Sequence, residues 1–208
     1  VTGVQTCALP IYTPNMITKG SSPSRGWEVA TIFHSVGGNN QWEFELDVLR
    51  TTKCDVHTFD CTGSTERYAV PDNSRLHFHH ICLGAVRSEG PLTKGLPCSA
   101  TTELCGDTWT LTEIQSHFSH KQIDLLKVDI EGWEWPIFDR DAGDTSLPMQ
   151  LLMEVHYCAF PAALECKVKR NQTMVTASDM VRFQSNLLRS GYVVVNKDRK
   201  STRLNSSH

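Results

Sequence analysis

The run from Ile123 to Gly132, IDLLKVDIEG, constrains the fold of this chain more than any other stretch. Ile123 to Ile130 reads as a short buried strand, and Glu131-Gly132 ends it. Side chains alternate along a strand, which puts Lys127, Asp129 and Glu131 on one side. Three charges near the end of a buried strand are unfavourable unless they are paired or used. Lys127 is placed to neutralise one carboxylate, and Gly132 allows a sharp exit toward a ligand. The competing reading is an ion pair that anchors the strand end.

Other segments repeat this layout. Ala30 to Val36 reads as a β-branched buried strand stopped by Gly37-Gly38. Trp42 to Thr52 follows as a helix with Phe44, Val48 and Leu49 on its apolar face. Asp55 to Phe59 is a second strand with Asp60 at its end, and Leu76 to Leu83 a third. Arg87 to Asp107 is rich in Gly, Pro, Ser and Thr and reads as a loop. A short helix spans Leu111 to Phe118, and Leu151 to His156 is a fifth strand after Ile123 to Ile130. Ala177 to Ser190 is a helix, capped near Thr176 or Ser178 and stopped by Gly191, and Tyr192 to Val195 is a sixth strand. Strands alternating with helices predict an α/β fold: a mostly parallel sheet with helices on both faces. Ligands of such sheets bind outside the carboxyl ends of the strands, where strand order reverses. The Gly37–Gln41 loop, Asp60, Asp129 with Glu131, and Glu154 with His156 are therefore expected to converge.

The two ends read as foreign to that domain. Val1 to Ile11 is encodable by one DNA element whose reverse complement encodes Asp198 to His208, and the element resembles a sequencing adapter. The domain is expected to span residues 12–197, cut at both ends, with residues 1–11 and 198–208 as adapter-derived artefact. Removing the tail's net +2 from the formal charge of −3 leaves −5. An acidic domain without basic clusters is a poor candidate for nucleic-acid binding. No run of about eighteen apolar residues occurs, so no membrane span is expected.

The cysteines leave two readings open. Cys54, Cys61, Cys82, Cys98, Cys105, Cys158 and Cys166 are too scattered for a compact zinc module. Cys98 and Cys105 share a polar loop and could form a local disulfide, and Asn171-Gln172-Thr173 is a glycosylation sequon. Both point weakly to the secretory pathway, and the localisation is otherwise unknown. The alternative is free buried thiols, which is ordinary for Cys54, Cys61 and Cys82 in or beside strands.

Each strand end has its own chemistry. Gly37-Gly38 lets a ligand approach the backbone at a helix N-terminus, or is a simple tight turn. Asp60, about twenty residues on, suits the hydroxyls of an adenosine ribose, the alternative being a surface or capping Asp. Glu154 and His156 share one strand face, with Met153 and Val155 on the other. His156 suits a base near neutral pH or a hydrogen-bonded core residue. Trp133 and Trp135 either stack on a base or, more in keeping with large aromatics, pack the next helix onto the sheet.

With these residues in place, a resemblance is visible. IDLLKVDIEGWEWPIF resembles the "idllKiDvEGaE" signature of FkbM-type methyltransferases. FHSVGGNNQWEFELDVL resembles the first cofactor loop of a related branch that includes animal methyltransferase-like proteins, and VHTFDCT its second-strand motif. WTLTEI, LLMEVHY and SGYVVVNKD resemble further segments, so the likeness runs from about Trp27 to Lys197. It implies a Rossmann-like class I methyltransferase fold with S-adenosylmethionine as methyl donor. Members usually end with a seventh, antiparallel strand, which is expected to be missing here. The resemblance implies that Gly37, Gly38 and the adjoining Asn39 line the cofactor, that Asp60 holds its ribose, and that Asp129 and Glu131 lie near the transferred methyl group. Cys61 stands where a proline is common, and Gly-Gly-Asn-Asn replaces the usual G-x-G loop.

The expected function is O-methylation of an acceptor whose class is not legible. Asp129, Glu131 or His156 would bind or deprotonate it. A divalent metal held by Asp129, Glu131, Glu154 and His156 is conceivable, although the site is expected to work without one. Two other classes stay open: a non-catalytic domain on a methyltransferase scaffold, and a nicotinamide-dependent oxidoreductase, which would want a G-x-G-x-x-G turn that is absent.

Overall fold

A computed structural model describes residues 16–19, 32–90, 104–138, 147–156 and 175–194, all of them inside 12–197. In chain order the elements are β1 (Met16–Lys19), β2 (Ile32–Val36), α1 (Glu43–Thr51), β3 (Asp55–Phe59), β4 (Leu76–His79), β5 (Ile81–Leu83), β6 (Asp107–Trp109), α2 (Leu111–His117), β7 (Leu125–Val128), α3 (Glu134–Phe138), β8 (Gln150–Met153), α4 (Ala177–Arg189) and β9 (Tyr192–Val194). Among the described residues a seven-stranded sheet has the order β4-β3-β2-β7-β8-β1-β9, and β5 pairs with β6 in a separate two-stranded sheet. The five strands from β4 to β8 in that order are mutually parallel. The fold is α/β with helices on both faces, consistent with a Rossmann-like methyltransferase.

The apolar strands are buried from both sides, as a covered parallel sheet requires. One face carries Phe33, Val56, Leu125 and Leu152 against Val48 and Leu49 of α1. The other carries Val36, Phe59, Leu126, Val128 and Leu151 against Leu111 and Ile114 of α2, Ile137 and Phe138 of α3, and Phe183 and Leu187 of α4. Successive residues of β7 go to opposite faces, which only an apolar run permits. Both α2 and α4 start on capping boxes, Thr110 with Glu113 and Thr176 with Asp179. Thr176, rather than Ser178, is the cap. No helix among the described residues is long and apolar enough to cross a membrane.

Two expectations are corrected. The strand read as Leu76 to Leu83 breaks at His80, and its second half leaves the main sheet to pair with β6. Two contacts flank the break. Cys61 and Cys82 form a disulfide with Cα atoms 5.0 Å apart, and Gly106 packs so closely that a Cβ would lie 2.5 Å from the His80 carbonyl oxygen. Cys61 and Cys82 are therefore not free thiols, and Cys54 is disulfide-bonded as well. Cys98 and the Asn171 sequon lie outside the described residues. A C-terminal strand after β9 would lie outside the described residues; the antiparallel position between β8 and β9 is taken by β1, with Met16 opposite Leu152 and Ile17 opposite Val194. Two like-directed strands with one strand's width between them accept any extended segment that can complete both ladders.

The parallel register has a consequence that patterning did not reveal. His34, His57 and His77 are register partners across β2, β3 and β4. His34 Nε2 hydrogen-bonds His120 Nδ1 at 2.9 Å, and His57 Nδ1 bonds His79 Nε2 at 3.0 Å. Phe59 and Phe118 close the cluster. Burial, then the neighbouring imidazoles, lower His57 to about 3 and His79 to about 4, and hold His34 well below its usual value. The group of His34, His57 and His79 is thus folded in its neutral form. Its stabilisation is complete above the ordinary histidine value of about 6.5 and is lost as pH falls below it, at up to about 1.4 kcal/mol per pH unit for each histidine still neutral. Urea unfolding is expected to give lower stability at about pH 5.5 than at about pH 7.5, and His57→Gln is expected to shrink that difference. Equal dependence in the two proteins would refute the assignment. The disulfide closes a span of 21 positions. Cys82→Ser is expected to lower the unfolding free energy by about 2–4 kcal/mol, and an unchanged urea midpoint would speak against the bridge.

Candidate functional site

The chain leaves β2 toward β3 and β4 on one side, whereas β7 and β8 lie on the other. The order therefore reverses between β2 and β7, and the carboxyl ends of these neighbours form the crevice where ligands of open α/β sheets bind. Gly37 follows β2 and Asp129 follows β7. The Asp129 amide donates to the Val36 carbonyl at 3.1 Å, and the Gly37 amide to the Phe59 carbonyl at 3.1 Å. Gly37 has φ +81°, and a Cβ there would lie 1.7 Å from the Asp129 carbonyl oxygen. Only glycine satisfies both the conformation and the approach. The simple tight turn is thus also the contact that joins the two strand exits.

Beyond it, Asn39 and Asn40 both adopt positive φ, at 45° and 60°. Asparagine tolerates this region best among residues with a side chain. Asp60 holds the turn: its Oδ2 accepts from the Asn39 amide at 2.6 Å, and its Oδ1 from the Thr62 amide at 2.9 Å. Arg67 donates to the Asn39 side chain and to the Thr62 carbonyl, and the Asn40 side chain accepts from the Trp42 indole at 3.0 Å. The structure thus brings Gly37, Gly38, Asn39 and Asp60 together. It adds that Asp60 organises the loop as well as facing it. Asp60 is buried and lies beside the Tyr68 hydroxyl as well, so its carboxylate is already held from several sides.

The second half of the site forms where β7 and β8 end. Regular alternation stops at Val128, and Glu131 turns outward with φ 53° and its side chain 79% exposed. Among the described residues Lys127 makes no direct ion pair: its Nζ lies 5.9 Å from the Phe44 ring centroid, and its charge reaches Asp129 through space. The group that organises this corner is Glu134, fully buried at the start of α3. Its Oε1 accepts from the Ile130 amide at 2.9 Å and its Oε2 from the Gly132 amide at 2.8 Å. Oε1 also meets His156 Nδ1 at 3.0 Å. Trp135 Nε1 donates to the His156 carbonyl at 2.6 Å while its ring packs on Phe183. Trp135 is thus a packing residue, which also steadies His156.

With Nδ1 engaged, His156 presents Nε2 to three carboxylates. Glu131 Oε2 lies at 3.5 Å, Glu154 Oε1 at 3.7 Å and Asp129 Oδ1 at 3.8 Å. The Glu134 hydrogen bond raises the His156 pKa against the opposing effect of burial, and Glu131 and Asp129 add to the rise. Burial raises Asp129 above the usual carboxylate range, helped by Glu154 and opposed by Lys127 and His156. Both groups therefore keep their protons to higher pH than they would in water. The nearest ligand atoms of Asp129, Glu154 and His156 all lie within 4.8 Å of one another, a spacing open to a metal ion. Asp129, Glu131 and His156 are therefore brought together, and the Gly37–Asp129 contact ties them to the glycine loop. Glu134 went unassigned because an acidic residue two positions past a glycine reads as a solvated first-turn residue. Its position between two tryptophans was the available signal that it is buried.

A family profile described as a methyltransferase domain matches residues 11–208. Among curated proteins, the chain is 26% identical over 126 residues to the human "Probable methyltransferase-like protein 24", covering 59% of this chain and 32% of that protein. It is 28% identical over 126 residues to the protein of the same description from Rattus norvegicus, with the same coverage. The chain spans about a third of the length of these relatives. No solved structure matches it.

Gly37→Ala tests the junction of the two halves. Positive φ and the clash with the Asp129 carbonyl together are expected to cost about 2–5 kcal/mol of stability. Thermal and urea unfolding within error of the native chain would show that the loop is not packed this way.

Proposed function

Because this chain belongs to a methyltransferase-domain family, we propose that it is an S-adenosylmethionine-dependent O-methyltransferase. The observation that carries the reading is the meeting, at one strand-order reversal, of an Asp60-braced glycine loop with an imidazole set among carboxylates. The FkbM-like character of the Lys127–Glu134 run supports the choice of methyl donor. In this reading Gly37, Gly38 and Asn39 line the cofactor, and Asp60 holds its ribose. When bound, the cofactor supplies an electrophilic methyl group on a sulfonium.

The acceptor's oxygen attacks the methyl carbon in line with the departing sulfur. The new C–O bond forms as the C–S bond breaks, the bonding pair stays on sulfur, and a neutral thioether leaves. The hydroxyl proton goes to a group of the Asp129, Glu131 and His156 set, and Glu134 fixes the imidazole so that Nε2 faces the acceptor. Pre-positioning the two reactants supplies most of what such a displacement needs from a protein. The acceptor is an alcohol-bearing molecule of unassigned class. The Cys61–Cys82 bridge favours an oxidising compartment and supports the secretory pathway as the location.

Equilibrium binding of labelled S-adenosylmethionine tests the donor. The native chain is expected to bind it, and Asp60→Ala to weaken binding by at least about tenfold, since losing hydrogen bonds to a charged partner costs roughly 1.5–3 kcal/mol. Unchanged binding by Asp60→Ala would remove the ribose role. No binding by the native chain or an intact relative would remove the donor assignment.

A further inference from the structure

We propose that Asp129, Glu154 and His156 form a binding site for one divalent cation of the Mn²⁺, Fe²⁺ or Zn²⁺ class, with coordination positions left open for an oxygen of the acceptor. The distances point to it first. His156 Nε2 stands 3.8 Å from Asp129 Oδ1 and 3.7 Å from Glu154 Oε1. Both separations are too long for hydrogen bonds, which need about 2.7–3.2 Å between N and O. Two ligand atoms each about 2.0–2.2 Å from one ion stand roughly 3.3–3.8 Å apart at angles from tetrahedral to trigonal. These two separations from His156 suit a shared cation better than a direct hydrogen bond to the imidazole. The corner also holds carboxylates from two different strand ends within 4.8 Å of the same imidazole, an arrangement that a divalent charge relieves.

Independent support lies outside the ligand set. A metal-bound histidine almost always donates its other ring N–H to a carboxylate or carbonyl, which fixes the tautomer and aims the free nitrogen at the ion. Glu134 does this here: it is fully buried, is anchored by the Ile130 and Gly132 amides, and meets His156 Nδ1 at 3.0 Å. One nitrogen and two carboxylate ligands suit Mn²⁺, Fe²⁺ or Zn²⁺ better than Ca²⁺ or Mg²⁺, which favour all-oxygen sets. Three protein ligands leave room for others. Asp129 and Glu154 are each about a third exposed, so those positions are reachable from solvent. The ion's contact with an acceptor oxygen rests on the transferase reading above; the binding of the ion does not, and with Asp129 and His156 engaged as ligands Glu131 is the member of their set left to take the acceptor's proton.

The test uses the full 208-residue chain and Mn²⁺ alone, followed by loss of the free-ion electron paramagnetic resonance signal, with Zn²⁺ competition. Binding displaces the Nε2 proton, so titrations run slightly above neutral pH. One Mn²⁺ per chain is expected. Asp129→Asn and Glu154→Gln are each expected to weaken it at least about tenfold, and Glu134→Gln by about 10–100-fold through the misaimed imidazole. The exposed α1 variant Asp47→Asn is expected to leave binding unchanged. Circular dichroism accompanies each variant, and because Glu134→Gln removes a buried anchor, the two partly exposed ligand variants carry the test should it fail to fold. No saturable binding of Mn²⁺ or Zn²⁺ up to about 1 mM, the weak end for protein sites, overturns the proposal, as does native-strength binding by Asp129→Asn and Glu154→Gln. Labelled S-adenosylmethionine binding is measured separately. A chain that holds Mn²⁺ at these residues but not the cofactor sinks the transferase reading and supports the cation site.

Discussion

The candidate site depends on one buried carboxylate. Glu134 sits where α3 begins, without solvent access, and takes the Ile130 and Gly132 amides and the His156 imidazole. An anionic oxygen removed from water is tolerated only when such donors replace its hydration. Those donors belong to the exit turn of β7 and to the segment after β8, two stretches far apart in sequence. Satisfying one side chain therefore sets the backbone of residues 130–132 and the direction of His156 together. The positive φ of Glu131, unfavourable alone, is held within that turn.

A second constraint couples this corner to the glycine loop. β2 and β7 are neighbours with Val36 paired to Val128, so the segments leaving the two strands emerge at the same height. Gly37 lies against the Asp129 carbonyl, and Asp60 at the end of β3 secures the far side of the loop through Asn39. The cofactor-facing and acceptor-facing groups thus share backbone contacts, and each positions the other. The same parallel register lines up His34, His57 and His77 and so gathers a cluster of imidazoles against the sheet.

Much of this was legible in the sequence, for identifiable reasons. Asp55–Phe59 falls where its β-branched run and terminal Asp60 place it. The glycine loop and the acidic strand ends were readable because β7 and its neighbours are buried on both faces, so a charge can appear only where a strand leaves the core. The misreadings share a different cause. His80 interrupts a stretch that is strand-like throughout, and nothing local signals the bridge from Cys61 to Cys82 that pulls the second half away. Lys127 is in sequence reach of Asp129 but stands over Phe44 of α1. β1 completes the sheet beside β8 from the opposite end of the chain.

Apolar runs, turn glycines and the spacing of charged residues by themselves determined the α/β class, the strands of the parallel sheet and the candidate residues at their carboxyl ends. These properties are local, since burial on both faces and the conformational freedom of glycine act over a few residues. Tertiary structure alone decided which cysteines pair, which segment fills the antiparallel position, and that Glu134 rather than Lys127 organises the acidic corner. Those outcomes depend on which donors and acceptors meet once the strands are side by side, and a buried carboxylate is stable only beside the groups that replace its water.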